Sequence, residues 1–174
     1  MTARLMGVVL AGGQSTRFGS DKAMALWKGR SLIEHAIDHL RPHCEAVAVA
    51  GRSHGDLVRI FDRPGPDHGP LGGIAGALHA AAGEGHDALI SLPCDTPLLP
   101  LDLFERLIEG EQASFVIDCP VIGFWPAALS DQLDQFLLQH PAASMRRWTT
   151  LINAKPVDVG PIANVNREED LRGL

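Results

Sequence analysis

An apolar run, Leu5 to Leu10, stops at Ala11-Gly12-Gly13, and Arg17, Gly19 and Lys22 follow at short intervals. Such a continuous run reads as a strand buried on both faces, the kind found in a parallel sheet covered by helices. A strand that ends on adjacent glycines can turn sharply and bring backbone N–H groups close to an anion. Arg17 and Lys22 put two cations beside those amides, which suits a polyphosphate. Two common phosphate signatures are excluded. The Walker pattern needs Gly-Lys-Ser/Thr, where this chain has Gly19-Ser20-Asp21-Lys22, and the dinucleotide fingerprint needs a third glycine that is missing here.

Downstream, Ser31-Leu32-Ile33-Glu34 reads as a capping box opening a helix, with Leu32, Ile33, Ala36, Ile37 and Leu40 on one stripe and Pro42 ending it. His35 and His39 stand at i and i+4, but Ala36 occupies the glutamate position of a zincin motif, so a polar outer face is expected. Val47–Ala50 and Leu57–Phe61 read as strands, with Asp62 at the end of the second. A turn-rich loop then leads into a helix from Leu71 to Ala82, whose small residues suit close packing on a sheet. Ala88–Leu92 reads as a strand running into Pro93-Cys94-Asp95-Thr96-Pro97, where the prolines fix Asp95 at its carboxyl end. A capped helix (Asp102–Glu109), strands at Ser114–Asp118 and Pro120–Phe124, and helices at Pro126–Gln139 and Ser144–Ile152 are expected next. A strand at Lys155–Val159 and a last helix from Glu168 complete the chain. This alternation predicts an α/β fold with a mainly parallel central sheet.

The 174 residues fit one domain, and 45% apolar with 21% charged residues is ordinary globular composition. A formal charge of −6 argues against nucleic acid or an anionic membrane as the main partner. Cys44, Cys94 and Cys119 make an odd count without a C-x-x-C pair, so neither a disulfide framework nor a structural zinc site is expected, and a cytoplasmic location is. No signal peptide or membrane-spanning run is read.

In open α/β sheets, ligands bind outside the carboxyl ends of the strands. That rule brings the glycine loop with Arg17 and Lys22, the carboxylate of Asp95, and Asn166 to one rim. One carboxylate with one amide oxygen suits Mg²⁺, which takes its other ligands from water and substrate phosphates. The implied chemistry is attack on a nucleotide phosphorus. Read singly, Asp95 is equally a turn residue and Asn166 equally a helix N-cap.

Leu10–Lys22 (L-A-G-G-Q-S-T-R-F-G-S-D-K) resembles the signature loop of the molybdenum cofactor guanylyltransferases of MobA type. Gly69–Gly73 (G-P-L-G-G), Leu92–Pro97 (L-P-C-D-T-P) and Asn164–Leu171 (N-V-N-R-E-E-D-L) resemble the same family, in its order. The resemblance implies a Rossmann-like nucleotidyltransferase fold with helices on both faces of the sheet. The nucleotide-binding half would span about 1–110 and the acceptor-binding half about 111–174. It implies transfer of GMP from GTP to molybdopterin with Mg²⁺, and a molybdoenzyme or its chaperone as recipient of the product. By position, Leu10, Ala11, Gly12 and Gly13 would line the nucleotide and Lys22 would contact phosphate with Arg17 beside it. Asp62 would meet the nucleoside, and Asp95 would hold the metal with Asn166. The chain departs from the family at Gly51-Arg52, where an Asn is usual. It departs again at Cys119-Pro120, where His-Pro is usual, and in a short turn at Asp118–Cys119. A molybdopterin cytidylyltransferase, a sugar- or polyol-phosphate nucleotidyltransferase, and a non-catalytic nucleotide-binding domain are the alternatives. Ala11-Gly12-Gly13 favours the guanylyl branch over the Ala-Ala-Gly of the cytidylyl enzymes.

Overall fold

The computed structural model describes residues 3–12 and 21–174, so Gly13 and Arg17 lie outside the described residues. The first strand, β1 (Leu5–Leu10), has the bounds its sequence predicts. A short hairpin follows, β2 (Leu26–Trp27) and β3 (Arg30–Ser31), and leads into α1 (Leu32–Leu40). Then come β4 (Ala46–Ala50), β5 (Val58–Ile60), α2 (Pro70–Gly83), β6 (Ala88–Pro93) and α3 (Leu103–Ile108). The remainder is β7 (Ser114–Val116), β8 (Gly123–Pro126), α4 (Ser130–Gln139), α5 (Met145–Leu151) and β9 (Lys155–Val157).

Seven strands form one sheet in the order β5-β4-β1-β6-β8-β7-β9. Only β8 runs against its neighbours; the other described pairings in this sheet are parallel. The chain steps outward from β1 to β4 and β5, then crosses to β6 on the other side of β1. That reversal opens a crevice at the carboxyl ends of β1 and β6.

Alternate residues of β1 serve opposite faces. Leu5 and Val9 join α1 and α3 through Ile33, Ile37, Leu40, Leu103 and Leu107. Met6 and Val8 join α2, α4 and α5 through Ile74, Leu78, Leu133, Leu137 and Trp148. The sheet is therefore covered on both sides, which is why its central strands are continuously apolar.

The N-terminus of α1 is built as predicted: Ser31 Oγ accepts from the Glu34 amide, and Glu34 accepts from the Ser31 amide at 2.8 Å. Several other expectations are corrected. The strand expected at Pro120–Phe124 begins at Gly123, because Ile122 donates its amide back to Cys119 at 2.9 Å and closes a turn. Pro126 ends β8 rather than opening a helix; a 3₁₀ turn (Ala127–Leu129) precedes α4. Asp102 makes no side-chain cap on α3 and lies instead 3.8 Å from Arg106, one turn on. The last helix is a 3₁₀ turn, Glu168–Arg172.

Candidate active site

The crevice is floored where β1 ends. The Ala11 amide continues the ladder by donating to Ala50 at 3.0 Å, and the Cys94 amide donates to Leu10 at 3.3 Å. Both strands flanking β1 thus hold its exit. Because its N–H is spent on the sheet, Ala11 can offer a ligand only its carbonyl and methyl. Gly12 lies against Gly51, whose backbone has φ +89°; a Cβ at Gly51 would overlap the Gly12 backbone. The glycine that stands where an Asn is usual therefore lets two loops touch. The neighbouring Arg52 pairs with Asp21 through both carboxylate oxygens, at 2.6 and 2.7 Å.

On one flank, α2 rests directly on the strand ends. A Cβ at Gly73 would meet Leu10 at 3.0 Å and Ala50 at 3.2 Å, and one at Gly72 would lie 2.9 Å from Asp62 Oδ2. The Asp62 carboxylate therefore sits over the first turn of α2, where the N–H ends of the helix favour negative charge. Burial pushes its carboxyl above the usual range, with Asp67 adding to the rise and His68 opposing it.

On the other flank, Lys22 opens a 3₁₀ turn (Lys22–Met24) and reaches across to the segment that follows β6. Its Nζ lies 2.7 Å from Asp95 Oδ2 and 3.5 Å from Asn166 Oδ1. The Lys22 and Asp95 side chains are only 17% and 21% exposed. Asn164, with its amide nitrogen turned toward the carboxylate, donates to both Asp95 oxygens at 3.0 Å. The Val165 amide donates to the Asp95 carbonyl at 2.8 Å. Asn-Val-Asn thus meets Asp95 through both backbone and side chain. Buried Val165 anchors it, and the asparagines on either side face the rim.

That anchor depends on the small hairpin, since Trp27 of β2 packs with Leu32 and Val165 in a separate apolar cluster. The two histidines of α1 complete the bracing. His35 Nε2 lies 2.8 Å from the Trp27 carbonyl, and His39 Nε2 lies 2.9 Å from the Pro97 carbonyl. The polar outer face expected for them is corrected: both are half-buried and tie α1 to β2 and to the loop that carries Asp95.

Of the residues singled out from sequence, Lys22, Asp95 and Asn166 converge directly, and Leu10, Ala11 and Gly12 form the floor beside them. Asp62 stands across Gly72 and Gly73 from Leu10 and does not touch the lysine–aspartate pair. Asn164 and Arg52 were not singled out. For Asn164 the signal was the two-residue period of N-V-N, which places both asparagines on one side of a buried valine.

Burial disfavours the thiolate form of the thiols near the rim. Burial, with the Asp95 charge adding, pushes Cys94 up to about 11, and burial likewise pushes Cys119 up to about 11. Among the described residues, no three His, Cys, Asp or Glu side chains gather as a metal cage. Hard oxygens from one carboxylate and one amide, already grouped around a cation (the Lys22 ammonium), fit Mg²⁺, which needs few protein ligands when phosphates supply the rest. A groove of about 590 Å³ between α4 and α5, bordered by His140, Arg146 and Arg147, shares no residue with this rim.

The family model described as the MobA-like NTP transferase domain matches residues 7–157. The chain belongs to this family. Within it, the chain is 39% identical to a molybdenum cofactor guanylyltransferase of Rhodobacter capsulatus, over 97% of this chain and 93% of the relative. A protein of the same name from Cereibacter sphaeroides is 36% identical over 97% and 94%. The fold is also that of molybdopterin-guanine dinucleotide biosynthesis protein A from Archaeoglobus fulgidus, with a TM-score of 0.76 at 20% identity, covering 97% and 95%. It is shared with 2-C-methyl-D-erythritol 4-phosphate cytidylyltransferase from Thermus thermophilus, with a TM-score of 0.66 at 14% identity, covering 95% and 94%. The chain is thus an NTP transferase with the Rossmann-like α/β fold its sequence predicts. No described helix is long and apolar enough to cross a membrane.

Proposed function

We propose that the chain transfers the guanylyl group of GTP to the phosphate of molybdopterin, forming molybdopterin guanine dinucleotide and pyrophosphate. The observation that carries this reading is the meeting of Lys22, Asp95 and Asn166 at the carboxyl ends of β1 and β6. The named relatives support GTP and molybdopterin as the substrates.

In this reaction an acceptor phosphate oxygen bonds to the α-phosphorus while the bond from that phosphorus to the bridging oxygen breaks, and the electron pair leaves with pyrophosphate. The attacking oxygen is ionised at neutral pH, so the chain needs no general base, and the protonated rim thiols supply none. Its task is placement and charge compensation. Leu10, Ala11 and Gly12 form the floor on which the nucleotide lies, and Gly13 is assigned to the same nucleotide. Asp62 accepts hydrogen bonds from the nucleoside. Lys22, with Arg17, balances charge on the departing pyrophosphate. Asp95 with Asn166 would hold Mg²⁺, which when bound neutralises phosphoryl oxygens. The acceptor is assigned to the half of the chain from about 111 to 174. The free thiols suit a reducing compartment, and the cytoplasm is the proposed location.

Pyrophosphate release is the direct test: purified protein is incubated with molybdopterin, Mg²⁺ and each of the four NTPs in turn. Turnover with GTP should exceed that with CTP, and Asp95→Ala should lower it by about 100-fold or more. Equal or faster turnover with CTP would overturn the guanylyl assignment, and GTP binding without pyrophosphate would turn the reading toward a non-catalytic domain.

A further inference from the structure

We infer that Lys22 is a tethered cation that keeps hold of Asp95 until a triphosphate takes it over, so that divalent metal and nucleotide load together. This rests on the reaction proposed above. The ammonium contacts Asp95 Oδ2 at 2.7 Å and approaches Asn166 Oδ1 at 3.5 Å. These are the two oxygens assigned to the metal. A divalent ion on the same carboxylate oxygen would face the ammonium a few ångströms away. The pair is largely shielded from solvent, at 17% and 21% exposure, so water and salt screen that repulsion poorly.

The rest of the carboxylate is already engaged. With its amide nitrogen toward the carboxylate, Asn164 is placed to donate to both oxygens, and the Val165 amide holds the Asp95 backbone, so both restrain the aspartate from moving to meet a metal elsewhere. The lysine can move, because its ammonium rides on a flexible four-carbon stem. Metal arriving alone must expel the ammonium from its 2.7 Å pairing with Asp95. Metal arriving with a triphosphate gives the ammonium new oxygens to bind, and the two cations exchange partners. Phosphate binding by Lys22 and metal binding by Asp95 are then one event, and each ligand must raise the affinity for the other.

Mn²⁺ serves as the probe, its binding to the full-length chain read by electron paramagnetic resonance without nucleotide. Wild type should bind it weakly, and Lys22→Met about tenfold more tightly or better. The double variant Lys22→Met/Asp95→Asn should lose that gain. Lys22→Gln gives a second, more polar replacement should the methionine variant fail to fold, and it should shift in the same direction. GTP added to wild type should tighten Mn²⁺ binding to at least the level of the lysine variants. Lysine variants that bind Mn²⁺ no better than wild type overturn the inference, even where GTP-dependent pyrophosphate release is intact. If the variants bind it more tightly and wild type releases no pyrophosphate, the assigned reaction is overturned instead, and the exchange stands.

Discussion

Burial holds the Asp62 carboxyl above its ordinary range, so the folded chain binds that proton more tightly than the unfolded chain does. The resulting stability is fully present below the unfolded pKa and is lost as pH rises through the higher folded value. At neutral pH, ionised Asp62 therefore works against the fold, as a carboxylate retained for a ligand would. Asp62→Asn removes the charge and keeps the shape. Because the group is partly exposed, the gain should be only a fraction of a kcal/mol, about 1–2 °C in Tm at pH 7.5. Calorimetry at pH 7.5 and at pH 4 checks both size and sign: the advantage of the variant should shrink at the lower pH. GTP affinity should fall at the same time. A variant less stable than wild type at pH 7.5 contradicts the account.

Element by element, the glycines of α2 carry unequal weight. At Gly76 a Cβ would overlap the Phe61 carbonyl oxygen and come within 2.8 Å of Ile60, so the helix lies on the backbone leaving β5. Gly83, at the end of the same helix, has nothing within 4 Å of a Cβ. One substitution should therefore give opposite signs. Gly76→Ala must lift α2 away from the strand ends and should cost about 2–3 kcal/mol, or roughly 5–10 °C in Tm. Gly83→Ala should be neutral or stabilising by up to about 1 kcal/mol through helix propensity. Thermal denaturation of the two variants separates packing from propensity; equal losses would refute the close approach at Gly76.

The small residues of this helix, the capping box of α1 and the apolar run of β1 were legible in the sequence because each is a local pattern with one good structural solution. The hairpin was not. Lys28 and Gly29 both adopt positive φ, the geometry of a tight two-residue turn, but lysine lacks the turn preference of Asn or Asp, and the strands hold only two residues each. The convergence of Lys22, Asp95 and Asn166 on one rim was legible, because resemblance and strand-end logic both brought them together. The grip of Asn164 on Asp95 and the bracing by His35 and His39 depend on how distant segments meet, which no local pattern encodes.

Across the whole molecule, the boundary near residue 110 between the two proposed halves does not coincide with a break in packing. β8, from the second half, pairs directly with β6 through Ala88–Pro126, Leu89–Trp125, Ile90–Phe124 and Ser91–Gly123. Both apolar clusters cross that seam: Val9 shares one with Phe124 and Val157, and Val8 shares the other with Trp125 and Leu133. Ser91 is the polar fastener. It is fully buried, donates to the Val121 carbonyl at 2.6 Å and accepts from Trp125 Nε1 at 2.8 Å. Ser91→Ala would leave the Trp125 indole N–H buried without that acceptor, a loss of about 1–3 kcal/mol. Because the seam is continuous, the loss should fall on the entire chain. In urea, tryptophan fluorescence and far-UV circular dichroism should follow one coincident transition in wild type, and the variant should shift both midpoints together. Two separated transitions, or a fluorescence midpoint that moves while the dichroism midpoint does not, would mean that the acceptor half unfolds on its own.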